Sequence, residues 1–220
     1  MTRVAAAVVM LSMSAFAGCT AAGAAGTFPD PAIDDPLAPS ARQETAVLAG
    51  GCFWGIESVF EHVRGVTGAV SGYSGGAAKT ASYEIVETGT TGHAESVKVT
   101  YDPAKVSYGA LLKVFFAVGH DPTQLNRQGP DVGTQYRSVI FTSGPNQQRI
   151  ATSYIAQLEG AKQFKNRIVT QVVPLDAFFP AEAYHQNYAE HHPNDLYIMI
   201  NDRPKVYALK REYPELYTDR

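Results

Sequence analysis

A cysteine stands at position 52 within the run Gly50-Gly51-Cys52-Phe53-Trp54-Gly55. Apolar residues precede it at Ala46 to Ala49 and recur after it at Ile56, Val59, Phe60 and Val63, which places it between a short buried strand and an amphipathic helix. A side chain at a helix entrance meets backbone N–H groups that lack an intrahelical acceptor and the positive end of the helix dipole. Both favour a thiolate, the nucleophilic form of cysteine. The glycines permit a sharp turn and leave the sulfur accessible. The same pattern also fits a buried, inert cysteine, the commoner fate of this residue.

A second group that could do chemistry lies in Thr91-Gly92-His93-Ala94-Glu95-Ser96-Val97-Lys98-Val99. With the side-chain period of a strand, Glu95 shares a face with Val97, Val99 and Tyr101. If that face is buried, desolvation raises the carboxyl pKa and leaves a proton available for general acid catalysis. At a solvated strand end Glu95 is an ordinary carboxylate, and alternation alone leaves both readings open.

Several elements must position these groups. The sequence predicts strands at Ala46 to Ala49, Val66 to Ser71, Ser96 to Tyr101 and Ser138 to Thr142. It predicts helices over Ile56 to Val63 and over Ser107 to Val118, the second capped by Ser107. The order strand, helix, strand, strand, helix, strand is that of an α+β two-layer sandwich with a ferredoxin-like split βαβ core, its helices on one face of the sheet. C-terminal extensions are expected as a helix over Asn146 to Leu158, a strand over Ile168 to Val173 and a helix over Ala181 to Glu190. Pro193, Pro204 and Pro214 then predict mostly coil, with at most one short helix near Tyr207. Gly72-Tyr73-Ser74-Gly75-Gly76 lacks the lysine and threonine of a phosphate-binding loop and is read as a loop bordering the site.

Taken in order, the blocks Gly51-Cys52-Phe53-Trp54-Gly55, Gly92-His93-Ala94-Glu95, Asp121-Pro122-Thr123 with Asn126 to Gly129, Asp131 with Gly133, Tyr136-Arg137-Ser138, and Tyr184-His185-Gln186 with Tyr188 form a specific set. The chain resembles, from Ala46 to about Tyr188, the A-type peptide methionine sulfoxide reductases. The resemblance implies reduction of methionine sulfoxide, of the S epimer, free or within oxidised proteins and peptides. It makes Cys52 the nucleophile and Glu95 the proton donor to the sulfoxide oxygen, with Tyr83 and Tyr136 as hydrogen-bond donors to that oxygen. Phe53 and Trp54 match the aromatic pair that receives the substrate methyl group. Asp131 matches an acidic residue that orders the site, and His185 and Tyr188 match a polar pair near its rim. The tail after His191 contains no cysteine and is similar to that of the single-cysteine branch, so the resemblance implies a sulfenic acid on Cys52 recycled by an external thiol, either a thioredoxin-like protein or a small thiol. No bound cofactor is expected. His191-His192 lacks the further ligands of a metal set, and no metal is expected either.

The first 18 residues carry Arg3 and then an apolar run from Val4 to Phe16, the order of a secretory signal peptide and too short to span a bilayer comfortably. Ala15-Phe16-Ala17 offers an ordinary cleavage site, whereas Ala17-Gly18-Cys19 resembles the box before a lipidated bacterial cysteine. The lipidated reading is adopted, giving an exported protein of the periplasm or cell envelope, in contact with membrane only through Cys19. Residues 19–43 are rich in Ala, Gly, Pro and Asp and read as a flexible tether, and residues 44–220 as one catalytic domain. Two cysteines exclude a disulfide framework. The net charge of -3, or -4 once Arg3 leaves with the first 18 residues, does not suggest a nucleic-acid partner. Two other classes remain compatible with these residues. One is a cysteine-dependent hydrolase or acyltransferase, which needs His93 or His185 beside Cys52; the other is a non-catalytic envelope lipoprotein.

Overall fold

The apolar run before Cys52 forms strand β1 (Glu44–Gly50), and the periodic residues after it form helix α1 (Phe53–Glu61). Then come β2 (Val66–Ser74), β3 (Ala94–Tyr101), α2 (Tyr108–Val114), β4 (Ser138–Thr142), α3 (Pro145–Gly160), β5 (Gln171–Pro174), β6 (Phe178–Pro180) and α4 (Arg203–Glu212). Single-turn and two-residue elements carry no label. The computed structural model describes residues 28–219, so the expected leader and Cys19 lie outside the described residues.

The six labelled strands form one sheet in the order β5-β4-β1-β3-β2-β6. Strand β3 lies between β1 and β2 and is antiparallel to both, while β4 is antiparallel to β1. This is the split βαβ arrangement expected from the order of elements. One face of the sheet presents Leu48, Val97, Val99, Tyr101 and Ile140 to Ile56, Val59 and Phe60 of α1, Leu111 and Leu112 of α2, and Tyr154 and Leu158 of α3. Full burial of each such apolar side chain contributes about 1.5–3 kcal/mol. The opposite face holds a smaller cluster of Val47, Ala49, Ala94, Val139 and Phe141. Alternation along β1 and β3 therefore does what a period of two requires, and it sends Glu95 to the helix side.

Several expected elements differ from those observed. Helix α2 is capped by Ser107, whose Oγ accepts from the Ala110 N–H at 3.1 Å, but beyond Val114 the chain continues as a π-helical turn, Phe115–Gly119. The strand expected from Ile168 starts at Gln171, because the Val169 N–H donates to the Pro122 carbonyl at 2.8 Å instead of joining the sheet. The glycine-rich stretch after Ser71 is the end of β2 up to Ser74, and Tyr73 is buried in it.

The predicted helix from Ala181 to Glu190 is absent. A single 3-10 turn, Ala183–His185, is followed by Asn187 at φ 52 and a short turn, Tyr188–His191. Tertiary hydrogen bonds displace helical ones here: Glu57 Oε2 accepts from the Asn187 N–H at 3.0 Å, and the Gln186 amide spans the Ser71 and Ala181 carbonyls. The C-terminal segment departs in the other direction. A π-helical turn, Ile198–Asp202, runs into the ten-residue helix α4. Pro204 sits in the first turn of α4, where a missing N–H costs no hydrogen bond, so it starts a helix rather than breaking one.

From Phe28 onward, the segment expected as a tether is fixed to the domain. The Phe28 ring meets Phe164 edge-on at 5.9 Å, the Tyr154 hydroxyl donates to the Pro29 carbonyl at 2.6 Å, and Lys113 Nζ lies 2.7 Å from Asp30. Asp34 accepts from the Gly109 N–H at 2.8 Å and from the Ser107 hydroxyl, which completes the cap of α2. A composition poor in large apolar residues hid these polar anchors. Asp34→Ala leaves the α2 donors without this acceptor and is expected to cost about 1 kcal/mol. Thermal unfolding of the full chain should register this as a melting point lower by about 3 °C.

Candidate active site

Strand β1 hands the chain to α1 through Gly51, which holds φ +96 and whose missing Cβ would lie 2.5 Å from the Gln128 side chain. Only glycine fits both the dihedral and the space. Cys52 is the N-cap residue of α1 and is 8% exposed. Glu95, near the start of β3, is buried on the same side, and its Oε2 accepts from the Phe53 N–H at 3.0 Å. One orphan donor of the α1 entrance is thereby satisfied by a carboxyl group in place of a side-chain cap.

A cavity of about 210 Å³ opens at this junction, lined by Cys52, Phe53, Trp54, Tyr83, Glu95, Asp131, Tyr136 and Tyr197. Of the residues expected from the sequence, His185 and Tyr188 are not in this wall. They stand behind it and hold Trp54. The indole Nε1–H donates to His185 Nδ1 at 3.2 Å, and the Tyr188 ring stacks on the indole at 3.8 Å and 10°. His185 therefore carries its proton on Nε2 when neutral, and burial lowers its pKa.

Tyr197 lines the cavity although it sits in a stretch read as coil. Its hydroxyl donates to Asp131 Oδ2, and its ring meets Trp54 edge-on at 6.0 Å. Glu182 was also missed. Its Oε1 accepts from the Tyr83 N–H at 2.9 Å and its Oε2 from the Tyr73 hydroxyl at 2.8 Å, so it fixes the turn that carries Tyr83. No periodicity marks either residue, because both come from irregular segments.

Burial dominates the electrostatics of the site. It pushes the Glu95 carboxyl up to about 8 against the pull of the Phe53 N–H, with Asp131 and Asp202 adding to the rise. At neutral pH Glu95 therefore carries a proton. Burial also pushes the Cys52 thiol above its ordinary range; the charges of Glu95 and Asp202 act in the same sense, and the Trp54 backbone N–H and Lys205 act against them. The helix entrance does pull toward a thiolate as the sequence suggests, but desolvation overrides it in the resting site. Burial and the charge of Glu95 raise Tyr83 to about 12, and burial raises Tyr136 as well. Both phenols are hydrogen-bond donors at neutral pH.

The arrangement offers a sulfur nucleophile, a buried acid one residue away along the α1 entrance, two phenol donors and an aromatic wall. A hydrolase pairing would need an imidazole in that wall. His185 is engaged by Trp54. His93 accepts from the Gly76 N–H through Nδ1 at 3.2 Å and places Nε2 3.1 Å from the Ala77 carbonyl, bracing a loop. Among the described residues, no three His, Cys, Asp or Glu side chains converge as a metal set.

A model of the peptide methionine sulfoxide reductase family matches residues 44–216, from the first strand through the last helix. The chain is 55% identical over 188 residues to peptide methionine sulfoxide reductase MsrA 2 of Mesorhizobium japonicum, covering 86% of this chain and 95% of that protein. It is 52% identical over 189 residues to the MsrA 2 of a Synechocystis species, covering 85% and 88%. Among solved structures, methionine sulfoxide reductase A of Corynebacterium diphtheriae superposes with a TM-score of 0.61 at 35% identity, covering 72% of this chain and 85% of that one. The reduced form of Mxr1 from Saccharomyces cerevisiae gives 0.63 at 31% identity, covering 73% and 91%. The matched span takes in the whole sheet and every wall of the Cys52 cavity, so the chain belongs to the peptide methionine sulfoxide reductase family, oxidoreductases that reduce methionine sulfoxide to methionine.

Proposed function

We propose that Cys52 attacks the sulfoxide sulfur while Glu95 delivers its proton to the departing oxygen. The observation that carries this reading is the bond of 3.0 Å from the Phe53 N–H to Glu95, which fixes a buried, protonated carboxyl beside the only thiol of the cavity. The sulfoxide oxygen bears partial negative charge and its sulfur is electrophilic, so an anionic thiol sulfur and a nearby acid act on the two ends of one bond. A neutral Glu95 also removes the repulsion that a carboxylate would exert on that anion. Tyr83 and Tyr136 donate to the oxygen as its charge grows, a contribution of the oxyanion-hole kind. Phe53 and Trp54 receive the methyl group, with His185 and Tyr188 holding the indole, and Asp131 is fixed by Tyr197.

Attack joins the Cys52 and methionine sulfurs as the S–O bond opens to a hydroxyl; delivery of that oxygen to the Cys52 sulfur then breaks the new S–S bond, releases the thioether and leaves Cys52, oxidised by two electrons, as the sulfenic acid. Two equivalents of an external thiol then return Cys52 to the thiol, with one disulfide and one water formed. The donor is a thioredoxin-like protein or a small thiol. The substrate is the S epimer, free or in oxidised proteins, and the protein is exported and lipid-anchored at Cys19.

Cys52→Ser is expected to abolish methionine formation from a blocked sulfoxide, with the far-ultraviolet circular dichroism unchanged. Activity above a tenth of wild type corresponds to about 1.4 kcal/mol or less of lost stabilisation, too little for a nucleophile, and would overturn the assignment. Glu95→Gln should slow single turnover by roughly 10² to 10⁴ with substrate affinity nearly unchanged. It should also remove the fall in wild-type rate as pH rises through about 8, where Glu95 loses its proton.

The same carboxyl has a signature in stability. Between its ordinary 4.5 and about 8 the folded chain holds a proton that the unfolded chain has released, so Glu95 makes folding less favourable as pH rises through that window. The melting point of Glu95→Gln should gain on wild type from pH 4.5 to 8; a constant difference would show Glu95 to be ionised in the folded state. For recycling, Cys19→Ser treated with excess sulfoxide and no reductant should release one methionine per chain and leave Cys52 trappable by a dimedone-type reagent. Loss of multiple turnover in that variant with external thiol present would make Cys19 the resolving residue.

A further inference from the structure

Two charged side chains beneath the site take no part in the chemistry above. Asp202 ends the π-helical turn that follows Tyr197 and is fully buried, and Lys205, in the first turn of α4, donates from Nζ to Asp202 Oδ1 at 3.1 Å. Asp202 Oδ2 is buried with no hydrogen-bond partner. Both side chains rest on Gly55, in the opening turn of α1. A Cβ on Gly55 would stand 2.1 Å from Asp202 Oδ1 and 2.7 Å from Lys205 Nζ. The absence of a side chain at Gly55 is what admits the pair to the helix entrance, three residues beyond Cys52.

Burying an ion pair is costly, and an apolar pair of similar volume would hold α4 on α1 at least as well. The charged and titratable groups around the sulfur explain what such a pair can do. Glu95 comes from β3, Asp131 and Tyr136 from the loops before β4, Tyr83 from the turn before β3, and Tyr197 from the segment that leads into α4. All of these are acids or phenols. Lys205 is the cation set against them, and it acts on Cys52 and on Asp131 alike. We propose that Lys205, seated by Asp202 against the first turn of α1, is a positioning residue that stabilises the anionic Cys52 sulfur during the reaction. Asp202 has two opposed effects: it holds the ammonium in place, and its own charge disfavours the anion. The two side chains together set the acidity of the thiol, and they do so from a C-terminal segment without cysteine.

The proposal rests on Cys52 as nucleophile, and its test reads the thiol directly rather than through turnover. In a full-length Cys19→Ser background, the rate of Cys52 alkylation by neutral iodoacetamide is followed against pH. Lys205→Met should move the midpoint up by about one unit, Asp202→Asn should move it down, and Lys205→Arg should leave it within about half a unit of the parent. Single turnover of sulfoxide at pH 7 should fall about tenfold in Lys205→Met and recover in Lys205→Arg. Identical midpoints in all variants, or upward movement in both Lys205→Met and Asp202→Asn, would overturn the proposal, since loosened packing does not shift a midpoint in opposite directions. The Asp202→Asn arm keeps the lysine and so tests the same electrostatics if Lys205→Met fails to fold. If instead Cys52→Ser retained reductase activity while these midpoints moved as expected, the assignment of Cys52 as nucleophile would fail, and with it the role of the pair in the reaction, while its control of the thiol's acidity would stand.

Discussion

The hydrogen bond from the Phe53 N–H to Glu95 ties the entrance of α1 to the start of β3, and the site depends on it. A helix begins with donors that need acceptors. Here one of those donors is answered by a carboxyl from a neighbouring strand, so the element that presents Cys52 and the element that presents Glu95 cannot be placed independently. Desolvation at that junction then sets the protonation states. It keeps the proton on Glu95 at neutral pH and opposes ionisation of Cys52, leaving a resting site with little net charge at its centre. That state is inexpensive to bury.

Around the part of the cavity wall that α1 and β3 supply, the rest comes from short or irregular segments, and polar side chains hold these in place. Glu182 fixes the turn bearing Tyr83, His185 and Tyr188 fix Trp54, and Tyr197 fixes Asp131. Glu57 works one layer further back. Buried in α1, it accepts from the Ser71 and Asn187 N–H groups and so attaches the His185 segment to β2. Its carboxyl is raised to about 7 by burial and by neighbouring Glu61. Two buried acids thus frame α1, and the fold tolerates their desolvation because each accepts backbone hydrogen bonds.

The regular part of this architecture was legible in the sequence. Strict alternation along β3 placed Glu95 with Val97 and Val99, helical spacing placed Ile56, Val59 and Phe60 on the core side of α1, and the order of elements gave the split βαβ sheet. Cys52 and Glu95 could be singled out as candidates from local pattern, whereas Tyr83 and Tyr136 stood out from the other tyrosines only through resemblance. What stayed hidden depends on contacts distant in sequence. The 181–190 segment has helical composition, yet its Asn187 N–H donates to Glu57 and its Ala181 carbonyl accepts from the Gln186 side-chain amide. Three prolines suggested coil near the C-terminus, but Pro204 occupies the one helical turn where proline fits. Asp202 and Lys205 show no pattern at all, and their relation to Cys52 exists only because Gly55 lets α4 come close.

The anchoring of Phe28 on Phe164 would shorten the reach of a domain attached through Cys19, as proposed above. With residues up to 43 free, a lipid on Cys19 would leave the catalytic domain wandering over a wide volume of the envelope. With the domain beginning at Phe28, eight residues separate it from Cys19, a span of at most about 30 Å when fully drawn out. Under the proposed lipid attachment the enzyme patrols a thin layer next to the bilayer, and its clients would be methionines oxidised in that layer, including those of neighbouring membrane proteins.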